Sequence, residues 1–355
     1  MGSSWQNYSV CRKGDRNGTT RHTFYDFAGI TGSRTGIERA EIFNWLHQKR
    51  VTDFSEMTTL SLPFRERLAS DFCINRLKIA KRLASSVDDT VKYLYELPDG
   101  NYVETVCMQY HHGTSLCIST QVGCRMGCRF CASAIAGFVR NLTPAEMLLQ
   151  IYETERAQNC KISSLVLMGI GEPLDNFDNV LRFLQLLSDP NGYGMSLRHV
   201  TVSTCGVVPK ILELAEQRLG LTLSVSLHCP NDAGRSAIMP INRSYPIDVL
   251  LDACQTYFEK TGRRVTFEYA VMDQVNSAEQ DAAALAERLK GLHAHVNLIP
   301  INPVKERNFH TLKKTVLQFQ KTLERYGIPA TIRRTLGSDI EAACGQLRRD
   351  AIQQT

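Results

Sequence analysis

From Ser115 onward, short apolar runs alternate with stretches in which apolar residues recur at helical spacing. The runs at 115–121 (SLCISTQ), 163–170 (SSLVLMGI), 199–205 (HVTVSTC), 221–229 (LTLSVSLHC), 263–272 (RRVTFEYAVM) and 295–301 (HVNLIPI) are expected to be strands. Helical patterns lie between them, at 176–188, 208–218, 246–261, 277–291 and 311–326. The clearest helix start is Thr143-Pro144-Ala145-Glu146: Thr143 can cap, Pro144 suits the first helical position, and Glu146 can reach back to the cap amide. Six βα units in succession imply a parallel sheet with helices outside, because parallel neighbours need crossover connections. Periodicity alone allows a partial barrel or a doubly wound sheet. The strand ends favour the barrel: Gly123 and Cys124, Gly171 and Glu172, Ser203 and Thr204, Ser226 and His228, and Asn302 all fall near carboxyl ends. In a barrel those ends meet at one mouth; in an open sheet the outer ones diverge. The expected fold is α/β, a partial (β/α)6 TIM-like barrel.

The chain before Ser115 reads differently. Residues 1–22 are polar and basic without apolar periodicity, which suits a loose tail. Apolar residues at helical spacing from Thr35 to Arg50, and again from Leu62 to about Phe72, predict a small helical domain over 23–90. Residues 91–97 and 102–109 flank Pro98-Asp99-Gly100-Asn101, turn chemistry that joins antiparallel strands, so 91–114 is expected to be a β-hairpin linker. The barrel and the segment after its last strand occupy 115–347, and 348–355 form a tail.

With 43% hydrophobic and 22% charged residues, the composition excludes a disordered, collagenous or coiled-coil chain. No apolar run approaches the roughly 20 residues that cross a bilayer, and no charged start with an apolar stretch opens the chain, so a soluble cytoplasmic protein is expected. Lys and Arg exceed Asp and Glu by 41 − 36 = 5, compatible with a polyanionic partner but too little to demonstrate one. The twelve cysteines are more informative, because thiols in a cytoplasmic chain stay reduced and serve metals or redox chemistry.

Cys124-Arg-Met-Gly-Cys128-Arg-Phe-Cys131 places three thiols within eight residues, after the first barrel strand, with no fourth cysteine or histidine beside them. Structural zinc takes four protein ligands, whereas a 4Fe-4S cluster held by three thiolates leaves one iron open. The aminocarboxylate of S-adenosylmethionine can fill that position, and one electron then cleaves the sulfonium to a carbon radical. The alternative is a zinc site with a distant fourth ligand.

The spacing is similar to that of radical S-adenosylmethionine enzymes, and the flanking segments narrow the resemblance. Cys117-Ile-Ser-Thr-Gln-Val-Gly-Cys124, Met168-Gly-Ile-Gly-Glu-Pro-Leu-Asp-Asn176, Ser203-Thr-Cys-Gly-Val-Val-Pro209, Ser226-Leu-His-Cys-Pro-Asn-Asp232 and Asp339-Ile-Glu-Ala-Ala-Cys-Gly-Gln-Leu347 resemble the RlmN/Cfr family of RNA adenine methyltransferases, from about residue 35 to 347. The resemblance implies that Cys124, Cys128 and Cys131 hold a 4Fe-4S cluster. It assigns S-adenosylmethionine contacts to Gly171, Glu172, Ser203, Ser226, Leu227, His228 and Asn302. Carbons 2 and 8 of adenine are not nucleophilic, so a radical route is required. The family's chemistry implies that Cys344 first accepts a methyl group, whose carbon becomes a methylene radical and adds to adenine. Cys117 would then resolve the protein–RNA adduct by forming a disulfide with Cys344, and Glu104 matches a proton acceptor. Implied partners are 23S ribosomal RNA, tRNA and an electron-donating flavodoxin- or ferredoxin-like protein, acting on a monomer. Cys11, Cys73, Cys107, Cys160, Cys205, Cys229 and Cys254 read as inert core thiols.

Val122 and Pro173 stand at positions that distinguish the family's branches and lean to carbon 2, rather than to the carbon 8 methylation of the antibiotic-resistance branch. Cys205, Cys229, Leu336 and Ser338 depart from the family pattern. A reading from another class, a non-catalytic RNA-binding protein with a metal module, has no use for a methylated Cys344.

Overall fold

The computed structural model describes residues 10–12, 36–301 and 309–340, so Asn302 and Cys344 lie outside the described residues. β1 (Val10–Arg12) pairs antiparallel with β2 (Phe72–Ile74), and between them in sequence lie α1 (Gly36–Asn44), continued by a π-helical turn over Trp45–Lys49, and α2 (Leu62–Asp71). β3 (Lys78–Ala84), β4 (Val91–Glu96) and β5 (Tyr102–Tyr110) run antiparallel into β6 (Gly113–Cys117). The segment expected to link two domains therefore continues the main sheet. A short antiparallel pair, β7 (Gln121–Gly123) and β8 (Phe138–Asn141), then brackets the cysteine loop.

The βα units follow: α3 (Pro144–Gln158), β9 (Ile162–Leu167), α4 (Phe177–Ser188), β10 (Val200–Thr204), α5 (Val208–Glu216), β11 (Thr222–Ser226), α6 (Asp232–Ile238), α7 (Ile247–Thr261), β12 (Val265–Val271), α8 (Glu279–Leu289), β13 (Ala294–Pro300), α9 (Lys313–Arg325) and β14 (Ala330–Ile332). In the ten-stranded sheet the order is β14-β13-β12-β11-β10-β9-β6-β5-β4-β3. From β6 to β14 all neighbours are parallel and follow chain order, with no reversal. A doubly wound sheet would reverse at a switch point, so the expected partial barrel is the observed fold.

The expected capping at Thr143 is present, with the Glu146 amide donating to Thr143 Oγ1 and the Thr143 amide to Glu146 Oε2. One apolar core runs from Ile42 and Phe43 of α1, through the strands, to Val316, Phe319 and Leu323 of α9. Polar contacts reinforce the junction: His47 Nδ1 lies 2.9 Å from the Tyr152 hydroxyl, Arg76 pairs with Glu153 at 3.0 Å, and Arg50 pairs with Glu155. The small helical region is thus packed into the barrel's own core.

One cysteine expectation is corrected. Cys73 is disulfide-bonded rather than a free thiol, and its register partner across the β1–β2 pair is Cys11. The two strands are joined through a long intervening segment, and nothing local in sequence announces their pairing.

Candidate active site

The carboxyl ends of the parallel strands enclose a cavity of about 340 Å³. Cys124, Cys128 and Cys131 line it, together with Cys117, Gly171, Glu172, Ser203, Ser226 and His228. Leu227 is buried behind it, its amide donating to the Glu268 carbonyl. The barrel mouth thus gathers residues that are dispersed over more than a hundred positions.

Local geometry explains the glycines there. Gly171 has φ +109°, and a Cβ at that position would lie 2.6 Å from the Gln121 Cβ. Gly123 has φ +78°, and a Cβ would lie 1.7 Å from the Gly137 carbonyl oxygen, where β7 turns into the cysteine loop. Only glycine lets the chain make both turns.

Burial pushes the Cys124 thiol up to about 12, with Cys131, Glu172 and Asp175 adding to the shift; Cys128 is raised by burial still more strongly. Deprotonation there requires a cationic partner, which a metal centre supplies as it displaces the protons. Among the described residues no three His, Cys, Asp or Glu side chains converge on a single-ion position. Three thiols lining one cavity form a donor set that suits a cluster whose separate irons each take one thiolate. The surrounding arginines are partly neutralised: Arg125 pairs with Asp175 at 3.0 Å, and Arg140 with Asp99 at 2.6 Å and Glu146 at 2.8 Å.

Glu172 is buried, and burial raises its pKa. Its carboxylate accepts from the amides of Leu174 at 2.9 Å and Cys205 at 2.7 Å, and the Thr204 and Cys205 side chains also bond to it. His228 has a left-handed backbone, φ 57°, and its Nδ1 accepts from the Ala270 amide at 2.9 Å. Burial, assisted by the Arg235 charge, lowers its pKa to about 3, so the ring is neutral and carries its proton on Nε2.

Cys117 is buried at the end of β6 with Val106 and Met108, and Leu336 packs against this group. Leu336 stands eight positions before Cys344. The chain beyond β14 lies along the cavity through Arg333, Arg334, Thr335 and Leu336. It is pinned farther on by Asp339, which accepts from Ser85 Oγ at 2.6 Å and from the Ser86 amide at 2.7 Å.

Glu104 is not an exposed hairpin carboxylate. It forms an ion pair with Lys92 at 2.9 Å, and both side chains are almost wholly buried. Alternation along β5 puts it on the same face as Val106, Met108 and Tyr110, which line the cavity.

Two further charged groups at the site carry no motif in the sequence. Glu268 projects into the cavity from mid-β12, accepting from Ser224 Oγ at 2.6 Å and Asn297 Nδ2 at 2.9 Å, and burial raises its pKa. Arg235 lies wholly buried beneath the strand ends. Glu268 sits mid-strand among apolar residues, a pattern that could have marked it; Arg235 sits in a seven-residue helix without a recognisable pattern.

Comparison with known proteins gives concordant matches. Residues 118–286 match the Radical SAM superfamily, and residues 38–74 match the ribosomal RNA large subunit methyltransferase N-terminal domain. A protein of Lachnoclostridium phytofermentans named probable dual-specificity RNA methyltransferase RlmN is 50% identical over 319 residues, covering 89% of each chain. A protein of the same name from Clostridium novyi is 47% identical, over 90% of this chain and 94% of that one. The crystal structure of a radical SAM methyltransferase from Sphaerobacter thermophilus superposes with a TM-score of 0.83 at 40% identity, covering 87% of this chain and 92% of that one.

Proposed function

The chain belongs to the RlmN family of radical S-adenosylmethionine RNA methyltransferases, and on that premise we propose that it methylates carbon 2 of an adenine in 23S ribosomal RNA and of an adenine in tRNA. The dual specificity in the relatives' names supports both substrates. The observation that carries the chemistry is the sharing of one cavity by the three loop cysteines, Cys117 and the strand-end polar residues, with the chain leading to Cys344 along its edge.

Cys124, Cys128 and Cys131 hold a 4Fe-4S cluster in this reading. When bound, the cluster supplies the electron that cleaves S-adenosylmethionine. Glu172 is the negative charge that faces the cosubstrate's ammonium, which would take the place of a side-chain donor such as the Cys205 thiol. Ser203, Ser226 and Asn302 offer neutral hydrogen bonds, the His228 Nε2–H is a donor, and Gly171 and Leu227 contribute backbone and packing. Cys344 carries the methyl group; that methyl gives one hydrogen atom to the radical derived from S-adenosylmethionine, its carbon then bonds to adenine, and the adduct returns one electron. Glu104 takes the proton lost from the ring. Cys117 attacks the Cys344 sulfur: the S–S bond forms as the S–C bond breaks, and the released carbon keeps the electron pair and takes a proton.

Val122 and Pro173 support carbon 2 over carbon 8. The reading is tested with anaerobically reconstituted protein, S-adenosylmethionine, an RNA fragment and a reductant, followed by nucleoside mass spectrometry. Formation of 2-methyladenosine is the expected result; zinc without iron after reconstitution would overturn the cluster assignment.

A further inference from the structure

Arg235 in α6 is completely buried, and its guanidinium is satisfied by neutral acceptors alone. Nε donates to the Leu227 carbonyl at 3.2 Å, Nη1 to Asn242 Oδ1 at 2.9 Å, and Nη2 to the carbonyls of Cys205 at 2.7 Å and Ser226 at 3.0 Å. The carboxylate on its own helix, Asp232, is near enough to act on it through space but makes no hydrogen bond to the guanidinium, accepting instead from Asn242 Nδ2 and the Ile247 amide, both at 2.9 Å. Among the described residues Arg235 has no carboxylate in an ion pair. A cation taken out of water is costly unless a counter-charge pairs with it directly, and carbonyl dipoles fill hydrogen bonds without supplying one.

The position of Arg235 indicates where the counter-charge belongs. Cys205 and Ser226, whose carbonyls it binds, line the cavity. The end of α6 grips the cysteine loop through the Arg129 amide, which donates to the Ile238 carbonyl at 2.9 Å. Ile238 and Met239 pack with Met126, Cys128 and Phe130.

We propose that Arg235 is the buried counter-cation of the cluster held by Cys124, Cys128 and Cys131, and that its charge raises the potential at which the cluster accepts an electron. The proposal rests on the cluster assignment made above. Three thiolates make the assembly anionic, and reduction adds one further negative charge. One electron passes from the reductant to the cluster, and no bond is made or broken. A fixed cation in a medium of low dielectric favours the more negative state. Arg235 thus acts through the cluster and not on the substrate.

The test is a dithionite titration of the anaerobically reconstituted full chain, followed by electron paramagnetic resonance of the reduced cluster. Wild type is compared with Arg235→Lys, which keeps the charge, and Arg235→Gln, which removes it. Both variants lose hydrogen bonds. Arg235→Gln is expected to lower the equilibrium constant for reduction about tenfold, a shift of about 59 mV to lower potential, while Arg235→Lys stays close to wild type. Equal potentials in the two variants, or an unshifted Arg235→Gln, would overturn the proposal while leaving the cluster assignment intact. Failure of the wild type to bind iron would overturn that assignment instead. Should Arg235→Gln bind no iron, thermal unfolding of the cluster-free proteins decides: an unchanged or raised midpoint supports the counter-ion role, and a marked drop assigns Arg235 to the fold alone.

Discussion

At the scale of the residue, burial dictates most of the chemistry. His47 is wholly buried against Tyr152, and desolvation, with a smaller contribution from Arg182, lowers its pKa from 6.5 to about 4. The unfolded chain therefore binds a proton that the folded chain refuses. Stability is intact above the unfolded value and falls as the pH drops from about 6.5 towards 4. Between pH 7.5 and 5.5 this one group should account for about 1.4 kcal/mol of lost stability. Urea unfolding of the cluster-free protein measures it, and His47→Gln should flatten that part of the profile. In the cavity, Gly171→Ala forces a Cβ against Gln121 at an unfavourable φ, and S-adenosylmethionine affinity should fall about tenfold or more, read by calorimetry on the cluster-loaded protein. The cysteines were legible because three thiols at close spacing with no fourth partner have few uses. Glu104 was legible only as a match to a family position: its partner Lys92 lies across a strand pair, a relation that one-dimensional spacing does not carry.

At the scale of the element, the parallel strands and the helices between them were readable because a strand covered on both faces is a continuous apolar run and its partner helix a periodic one. β3 was not. Six of its seven residues are exposed, and Lys78, Lys81 and Arg82 break any alternation, as suits an edge strand that must not recruit another chain. That omission hid a structural tie: the turn between β3 and β4 supplies Ser85 and Ser86, which hold Asp339 in the segment leading to Cys344. Asp339→Ala should leave S-adenosylmethionine cleavage near wild type and depress RNA methylation about tenfold or more, because only the carrier segment is released. Parallel assays of deoxyadenosine and methylated nucleoside separate the two effects. At the start of α3, Thr143→Ala removes the side-chain cap and should cost about 1 kcal/mol in urea unfolding.

At the scale of the whole molecule, the sheet continues without a break from the cavity strands into β5, β4 and β3, and the helical region at the N-terminus shares its core with the barrel. An adenine in folded RNA must be unstacked and its edge presented to the carrier thiol. In the proposed reading, an N-terminal region that shares its core with the barrel would hold RNA at a set distance from the mouth, and pose would select carbon 2 or carbon 8. The order of strands made the cavity legible as a common mouth, while the closeness of Leu336 to Cys117 depends on how the chain after β14 crosses it, which no local pattern specifies. The division of labour between Cys117 and Cys344 is the central claim. Its most direct measurement is intact-mass analysis of Cys117→Ala after incubation with S-adenosylmethionine, reductant and RNA. The account predicts protein trapped in covalent linkage to RNA through Cys344, and none in Cys117→Ala combined with Cys344→Ala; normal turnover by Cys117→Ala, with no linked species, would contradict it.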